Sequence, residues 1–244
     1  TGPTRLLPEG IGRGLPQHAS IPSWHRGVVV SAPPLHPGPV LRFSLTSLRV
    51  RTTVSVIENY QAELQQRGFQ SDPAQMRAIE ALERCADEWA AYKAQSGSRL
   101  KRLFRKPVVP RGVYMYGGVG RGKSFLMDCF FNAVGVERKT RLHFHEFMHE
   151  VHRELAGLQG TVNPLDELGR RIAQRYELIC FDEFHVADIT DAMILYRLLE
   201  ALFDNGVGFV TTSNFRPDGL YPDGLHRDRI LPAIKLLNDR LEVI

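Results

Sequence analysis

The sequence predicts an α/β fold, in which helices form the two outer layers around a mostly parallel sheet of about five strands. Two patterns lead to this prediction. Short apolar runs alternate with segments of helical spacing from about residue 113 onwards, which is the order found in βαβ units. The first of these runs also ends in a glycine-rich turn that opens a helical segment. With 244 residues, of which 43% are hydrophobic, the chain is long and apolar enough for a packed core of this kind.

The first fifty residues differ in composition from the remainder of the chain. They hold eight of the 15 prolines and five arginines, against a single acid, Glu9. This composition predicts a disordered Pro/Arg-rich segment over residues 1–53. The same residues carry the whole net charge of +4, so the remainder is neutral and a nucleic-acid partner is not expected.

The cysteines indicate the compartment. Cys85, Cys129 and Cys180 are far apart in the chain and each has apolar neighbours. This spacing fits a reduced, cytoplasmic compartment better than a disulfide framework. No run of 18 apolar residues occurs, so no membrane-spanning helix is predicted.

Two helices are predicted before the sheet begins. Apolar residues at helical spacing predict the first from Val56 to Gly68, and Asp72 with the proline after it marks the start of the second. Phe69 and Gln75 lie beside Asp72, and these three side chains could help to hold an adenine base.

Residues 54–106 are therefore expected to form a helical part that ends in a basic linker. Within it, residues 99–106 hold five cations around three apolar side chains. A stretch of this kind is more often a solvated linker than a peripheral contact with an anionic membrane or an acidic partner, and both interpretations stay open here.

The predicted core, residues 107–244, opens with a phosphate-binding loop of the P-loop NTPase type. An apolar run at residues 113–116 precedes the loop, and a helix at residues 123–132 follows it. Glycines let consecutive N–H groups point at a phosphate chain, Lys123 would reach the β- and γ-phosphates, and the Ser124 hydroxyl would bind Mg²⁺. The predicted binding residues are Gly117, Gly118, Val119, Gly120, Arg121, Gly122, Lys123 and Ser124.

Periodicity predicts the remaining elements of the core. Strands are expected at residues 140–145, 176–181, 207–212 and 241–244, and helices at residues 146–155, 166–174, 190–203 and 230–238. We expect the phosphate-binding loop to follow the central strand of the sheet.

Polar residues at the ends of two later strands supply a second chemical signal. Asp182 and Glu183 follow one apolar strand, where the first acid can hold Mg²⁺ and the second can polarise an attacking water. Asn214 follows the next strand and could orient that water, although asparagine is also common in turns. Three strand ends would then meet at one phosphate.

Two arginines follow in a loop after Asn214. Arg227 or Arg229 could reach a nucleotide on a neighbouring subunit, as an arginine finger does. The alternative is a surface ion pair with Asp223 or Asp228.

Histidines between residues 143 and 152 suggest a zinc site at first sight. His145 and His149 have the useful spacing of four only if both lie on one helix, and a strand–helix junction is expected between them. Structural roles are therefore favoured over zinc.

Together these motifs resemble the AAA+ ATPases, and more narrowly the ZapE-type cell-division ATPases, whose relatives include mitochondrial AAA+ proteins. The resemblance covers residues 54–244 and rests on the phosphate-binding loop and four further stretches. These are Arg141-Leu-His-Phe-His-Glu-Phe-Met148, Leu178-Ile-Cys-Phe-Asp-Glu-Phe-His185, Thr211-Thr-Ser-Asn214 and Leu220-Tyr-Pro-Asp-Gly-Leu-His-Arg227.

The resemblance implies ATP hydrolysis by a cytoplasmic protein that joins the division apparatus at the inner membrane, with the division polymer FtsZ as its partner. By position, the resemblance implies that Lys123 and Ser124 bind phosphate and Mg²⁺. It implies that Asp182 binds Mg²⁺ and that Glu183 activates the attacking water. It also implies that Asn214 is the sensor and that Arg227 is an arginine finger, supplied in trans within a homo-oligomer. Since the chain ends at its expected fifth strand, the helical lid of such proteins is expected to be missing.

Three other functions stay open at this point. A small-molecule phosphotransferase on the same loop is disfavoured by Asp182, Glu183 and Asn214, which suit water as the acceptor. A nucleic-acid loader ATPase is disfavoured by the neutral core. A nucleotide-gated binding module without catalysis becomes the better interpretation if the lid is absent.

Overall fold

The computed structural model describes residues 54–68, 72–96 and 108–244 of the chain. The predicted disordered segment at residues 1–53, the basic stretch at residues 99–106 and Phe69 lie outside the described residues. Among the helices that are described, none is long and apolar enough to cross a membrane.

Helices and strands follow one another in the order that the periodicity predicts. The helices are α1 (Val56–Arg67), α2 (Pro73–Ser96), α3 (Lys123–Ala133), α4 (Phe144–Ala156), α5 (Pro164–Arg175), α6 (Ile189–Asp204) and α7 (Leu231–Arg240). The strands are β1 (Gly112–Tyr116), β2 (Lys139–His143), β3 (Leu178–Asp182), β4 (Gly208–Ser213) and β5 (Leu241–Val243). Two short 3₁₀ turns, Pro217–Gly219 and Arg227–Arg229, lie between β4 and α7.

The five strands form one parallel sheet in the order β2-β3-β4-β1-β5. The predicted α/β fold with a five-stranded sheet is therefore confirmed. The predicted place of the phosphate-binding loop is wrong, because β4 is the central strand and β1 lies second from the β5 edge. Crossover connections let strands that are distant in the sequence pair, so chain order does not give sheet order. This order places the carboxyl ends of β3, β4 and β1 side by side.

The sheet separates two apolar layers, since successive side chains of a strand point to opposite faces. Val113 and Met115 of β1 belong to the core that α1, α2 and α3 cover. On the other face the rings of Phe181 and Phe209 stack with centroids 5.5 Å apart, and Phe203 of α6 lies 4.9 Å from Phe209.

The predicted end of α1 at Gly68 and the predicted N-cap of α2 at Asp72 both form, whereas the cap at the start of α1 was not predicted. Ser55 and Glu58 make a capping box at the start of α1, and Gly68 ends that helix with a φ of 66°. The Asp72 carboxylate caps α2 by accepting a 2.8 Å hydrogen bond from the N–H of Ala74. Both helices share one hydrophobic core with α3 and the sheet.

The amino end of the sheet is held by charges around Glu177, just before β3. The Glu177 carboxylate accepts bonds of 2.8 and 3.1 Å from Lys93 at the end of α2, and Arg138 Nη2 lies 3.2 Å from its Oε1. Burial acts to raise the pKa of Glu177, but the bonds from Lys93 and Arg138 bring the pKa below its ordinary value. Glu177 therefore ties α2 and the segment before β2 to β3.

Gly208 lets α2 lie directly on the same end of the sheet. A Cβ on Gly208 would lie 2.5 Å from the ring of Trp89, which is only 1% exposed. The backbone N–H of Gly208 also donates a 2.9 Å hydrogen bond to the Glu177 carbonyl. Only glycine fits this position without moving the tryptophan.

The junction between β2 and α4 lies earlier than the sequence predicts. β2 ends at His143, so His145 belongs to α4 and not to the strand, and His145 and His149 share one helix after all. The buried residues of α4 have the spacing of one helical face: Phe144, Phe147, Met148 and Val151. Packing of this face overrides the short alternating pattern that predicted a longer strand.

Candidate functional site

The phosphate-binding loop runs from the end of β1 into α3, as predicted. Gly120 and Gly122 have φ angles of 79° and 80°, in the left-handed region that favours glycine. Gly122 is also the N-cap of α3, and a Cβ there would lie 2.8 Å from Nε2 of Gln75. The start of an 11-residue helix thus faces the loop, and no side chain caps it with a hydrogen bond.

The Lys123 ammonium lies in the mouth of the loop. Its Nζ donates to the carbonyls of Gly117 at 2.6 Å and Gly118 at 2.9 Å, and to Oδ1 of Asn214 at 3.1 Å. Burial lowers the pKa of Lys123, while the nearby charge of Glu183 acts in the opposite direction. The structure therefore brings together the predicted lysine and the predicted sensor asparagine.

The two acids at the end of β3 have different surroundings. The Asp182 side chain is 11% exposed, whereas the Glu183 side chain is 71% exposed. Glu183 has a φ of 52°, a left-handed conformation that costs a non-glycine residue about 1–2 kcal/mol. The turn points one carboxylate into the protein and its neighbour outward, with Glu183 Oε2 3.8 Å from Nδ1 of His143.

Thr212 of β4 supports both acids. Its Oγ1 accepts a 3.1 Å hydrogen bond from the backbone N–H of Glu183 and lies 3.4 Å from Oδ1 of Asp182. Sequence reasoning assigned no role to Thr212, although a polar residue within a predicted buried strand was an available signal.

Ser213, the last residue of β4, connects three strand ends. Its buried hydroxyl donates a 2.7 Å bond to the carbonyl of Phe184 and accepts a 3.1 Å bond from the N–H of Phe215. Its carbonyl accepts a 3.2 Å bond from the N–H of Gly117. The ends of β3, β4 and β1 are thereby fixed relative to one another, and sequence reasoning missed this residue too.

Arg141 of β2 also reaches the site. Its Nε donates a 2.6 Å bond to Oδ2 of Asp182, Nη2 donates a 3.2 Å bond to the carbonyl of Ser124, and Nη1 pairs with Asp128 of α3. Burial acts to lower the pKa of Arg141, but the bonds that it donates to Asp182 and Asp128, together with their charges, outweigh this and the pKa rises. The sequence placed Arg141 in a family motif but gave no partner for it, since the pairing of β2 with β3 depends on sheet order.

The two arginines of the later loop have contacts of their own. Arg227 Nη2 donates a 2.8 Å bond to the carbonyl of Asp218, and Arg229 Nε lies 3.7 Å from Asp228. The ion pair expected as the alternative role therefore forms for Arg229, and Arg227 is held by the backbone of the first 3₁₀ turn.

A cavity of about 530 Å³ lies between the loop and the start of α2. Asp72, Gln75 and Tyr116 line it together with loop residues. The Gln75 amide accepts a 3.0 Å bond from the Tyr60 hydroxyl and donates a 3.1 Å bond to the carbonyl of Arg121. Gln75 thus holds the loop as well as lining the cavity suggested for a base.

The histidines do not assemble into a metal site in the part of the chain that the structure describes. No group of three histidine, cysteine or acidic side chains is close enough there to hold an ion. His152 instead pairs with Asp191, with 2.7 Å between Nε2 and Oδ1. For His152, this contact between α4 and α6 is a structural role.

These residues fit a nucleoside triphosphate with a divalent cation. Mg²⁺ prefers oxygen ligands, and the Ser124 hydroxyl and the Asp182 carboxylate lie on elements that Arg141 joins. The glycine backbone and the first turn of α3 suit a phosphate chain, and the cavity beside them has room for a nucleoside.

Known proteins share this sequence pattern. Residues 54–244 match the family described as AFG1-like ATPase. Cell division protein ZapE of Escherichia coli strain K12 is 42% identical over 203 residues, covering 79% of this chain and 54% of that protein. Lactation elevated protein 1 homolog B of Danio rerio is 43% identical over 150 residues, covering 57% of this chain and 30% of that protein. The chain thus spans about half the length, or less, of the curated relatives it matches.

Among solved structures, domain III of the replication initiation protein DnaA from Thermotoga maritima has a TM-score of 0.49 at 18% identity. That match covers 72% of this chain and 64% of the other. A likeness at this level says nothing about function.

Proposed function

The chain belongs to the AFG1-like ATPase family, and on that premise we propose that it binds ATP with Mg²⁺ and hydrolyses it, with water as the phosphate acceptor. One observation carries the proposal. Lys123 after β1, Asn214 after β4, and Asp182 and Glu183 at the end of β3 lie on three neighbouring strands, with 3.1 Å between Lys123 Nζ and Asn214 Oδ1.

The proposed roles follow from where each side chain lies. Lys123 would exchange its carbonyl and amide partners for oxygens of the β- and γ-phosphates. When bound, Mg²⁺ supplies neutralisation of the phosphate charge, with Ser124 and Asp182 as the residues that would hold it. Glu183, exposed beside Asn214, accepts a proton from the water that attacks the γ-phosphate in line, and Asn214 orients that water.

The test is release of inorganic phosphate from ATP by the purified chain, with Mg²⁺ and no other acceptor present. A matched reaction in EDTA and a Lys123→Ala variant serve as controls, and both are expected to lose turnover. Turnover that needs a small-molecule acceptor would identify a phosphotransferase instead. Tight, salt-sensitive binding of single-stranded DNA would favour a loader-type ATPase.

We propose further that hydrolysis regulates or remodels a protein partner in bacterial cell division, and that this partner is FtsZ. Support comes from the 42% identity to the Escherichia coli protein whose name assigns it to cell division. The protein would act in the cytoplasm, recruited to the inner membrane at the division site. Co-sedimentation of the chain with FtsZ polymers, compared with and without Mg·ATP, tests this partner. If the chain pellets to the same extent without FtsZ polymers, FtsZ is not the partner.

Arg227 is proposed as the finger that a second copy supplies in trans. Mixing Lys123→Ala subunits, which cannot bind ATP, with Arg227→Ala subunits, which lack the finger, should restore part of the turnover. No recovery in the mixture, with each variant folded, would contradict the proposal.

The organisation of the chain is also a proposal. Residues 54–106 would act as the helical part and residues 107–244 as the core of one ATPase region, with residues 1–53 outside it. The family match from residue 54 and the core that α1 and α2 share with the sheet support this division.

A further inference from the structure

Arg141 contacts both elements that carry the proposed metal ligands. Its Nη2 bonds to the backbone carbonyl of Ser124 in the first turn of α3, and its Nε bonds to the carboxylate of Asp182 at the end of β3. The pairing with Asp128, one helical turn beyond Ser124, holds the guanidinium from a third side. The side chain of Arg141 is 20% exposed, so it is restrained on several sides.

The two carboxylate oxygens of Asp182 have different hydrogen-bond contacts. Oδ2 accepts the 2.6 Å bond from Nε of Arg141, which is short and charge-assisted. Among the described residues, Oδ1 has two hydrogen-bond contacts, from Arg141 Nη2 and Thr212 Oγ1, and both are 3.4 Å, which is long for a hydrogen bond. The guanidinium therefore binds Oδ2 strongly and Oδ1 only weakly, so Oδ1 keeps most of its capacity to accept a further partner.

We propose that Arg141 is a positioning residue of the metal site, which occupies Oδ2 of Asp182 so that Oδ1 faces the cation, and holds the turn of Ser124 at the matching distance. This inference rests on the ATPase function proposed above. Partners that orient a metal ligand affect metal binding although they do not touch the metal. Arg141 would therefore set the affinity for Mg²⁺ in the nucleotide complex and not the affinity for the nucleotide alone.

The experiment separates these two affinities in the whole chain. Binding of a fluorescent ATP analogue is measured in EDTA, and then across a Mg²⁺ titration, for wild type and Arg141→Met. The Mg²⁺ concentration for half-maximal effect is expected to rise about 10- to 100-fold in the variant, with the metal-free dissociation constant unchanged. Arg141→Lys keeps the positive charge but lacks the paired donors of the guanidinium. Its Mg²⁺ concentration for half-maximal effect should lie between those of wild type and Arg141→Met.

Arg138→Met is the matched control. Arg138 lies three residues before Arg141, directly ahead of β2 at the amino end of the sheet, where it pairs with Glu177. Its replacement is expected to leave the Mg²⁺ titration unchanged. If Arg141→Met does not fold by circular dichroism, Arg141→Lys gives the same comparison.

Three results would overturn the inference. Equal losses of metal-free and metal-bound nucleotide affinity would make Arg141 a structural residue only. Tighter Mg²⁺ binding in the variant would mean that the guanidinium competes with the cation, and an unchanged titration would mean that it does not act on the site. A wild-type chain that binds no nucleotide would instead refute the proposed function itself.

Discussion

The two ends of β3 each carry an acid held by arginine, yet they differ in what remains available. At the amino end, Glu177 is bonded by Lys93 and Arg138 through both carboxylate oxygens. At the carboxyl end, Asp182 keeps one weakly bonded oxygen, and Glu183 beside it projects into solvent. Saturated ion pairs join elements of the fold, whereas acids with spare acceptor capacity can act on a ligand. Four substitutions test this contrast.

Glu183→Gln at the carboxyl end should have the largest effect. The amide keeps the shape of the side chain but cannot accept the proton of the attacking water, so ATP turnover should fall by about 10²- to 10⁴-fold. Phosphate release measures the loss, and analogue binding should be retained. Turnover at the wild-type rate would refute Glu183 as the base and remove the contrast between the two ends.

Thr212→Val, at the carboxyl end of β4, should have the next largest effect. Valine keeps the volume but removes the acceptor for the Glu183 N–H and the contact to Asp182. We expect turnover to fall about 10- to 100-fold through misplacement of both acids. A loss of thermal stability without a specific loss of turnover would show that Thr212 only packs.

Gly208→Ala tests the opposite end of β4. The added methyl would meet the ring of Trp89, so the free energy of unfolding should fall by about 1–3 kcal/mol from overpacking. Urea denaturation measures this change. Because the site lies at the other end of the strand, the Mg²⁺ dependence of turnover by folded protein should stay the same, and a changed dependence would count against separate roles for the two ends.

Glu177→Gln should have the smallest effect, a loss of about 1 kcal/mol, since the cations it leaves behind are partly exposed. The folded-state pKa of Glu177 is depressed, so its contribution to stability is present above the unfolded pKa and is lost as the pH falls through the folded one. Wild type and variant should therefore differ at pH 7 and converge in acid. A stability difference between wild type and variant that grows as the pH falls would contradict a stabilising role for the ionised Glu177.

Much of the fold followed from the sequence because local patterns determine it. The caps at Asp72 and Gly68, the glycine loop and the order of elements depend on residues a few positions apart. Sheet order did not follow, because crossover connections decide which strands become neighbours. That is why the position of β1 in the sheet was predicted wrongly.

The site divides in the same way. Lys123 and Asn214 were named from strand ends, and the structure brings them into contact. Arg141, Thr212 and Ser213 act by contacting residues at the end of a neighbouring strand, so their roles depend on register across the sheet. A polar Thr-Thr-Ser run within a buried strand was the signal that could have indicated two of them.

The packing of Trp89 on Gly208 also gives the protein a built-in spectroscopic reporter. The sequence contains two tryptophans, Trp24 and Trp89, and Trp24 lies outside the described residues. With Trp24→Phe, tryptophan emission would come from one indole, which packs against Gly208 of the sheet and against Tyr92, with 5.4 Å between the two ring centroids. Its wavelength would then record whether α2 stays seated on the sheet while nucleotide binds at the far end.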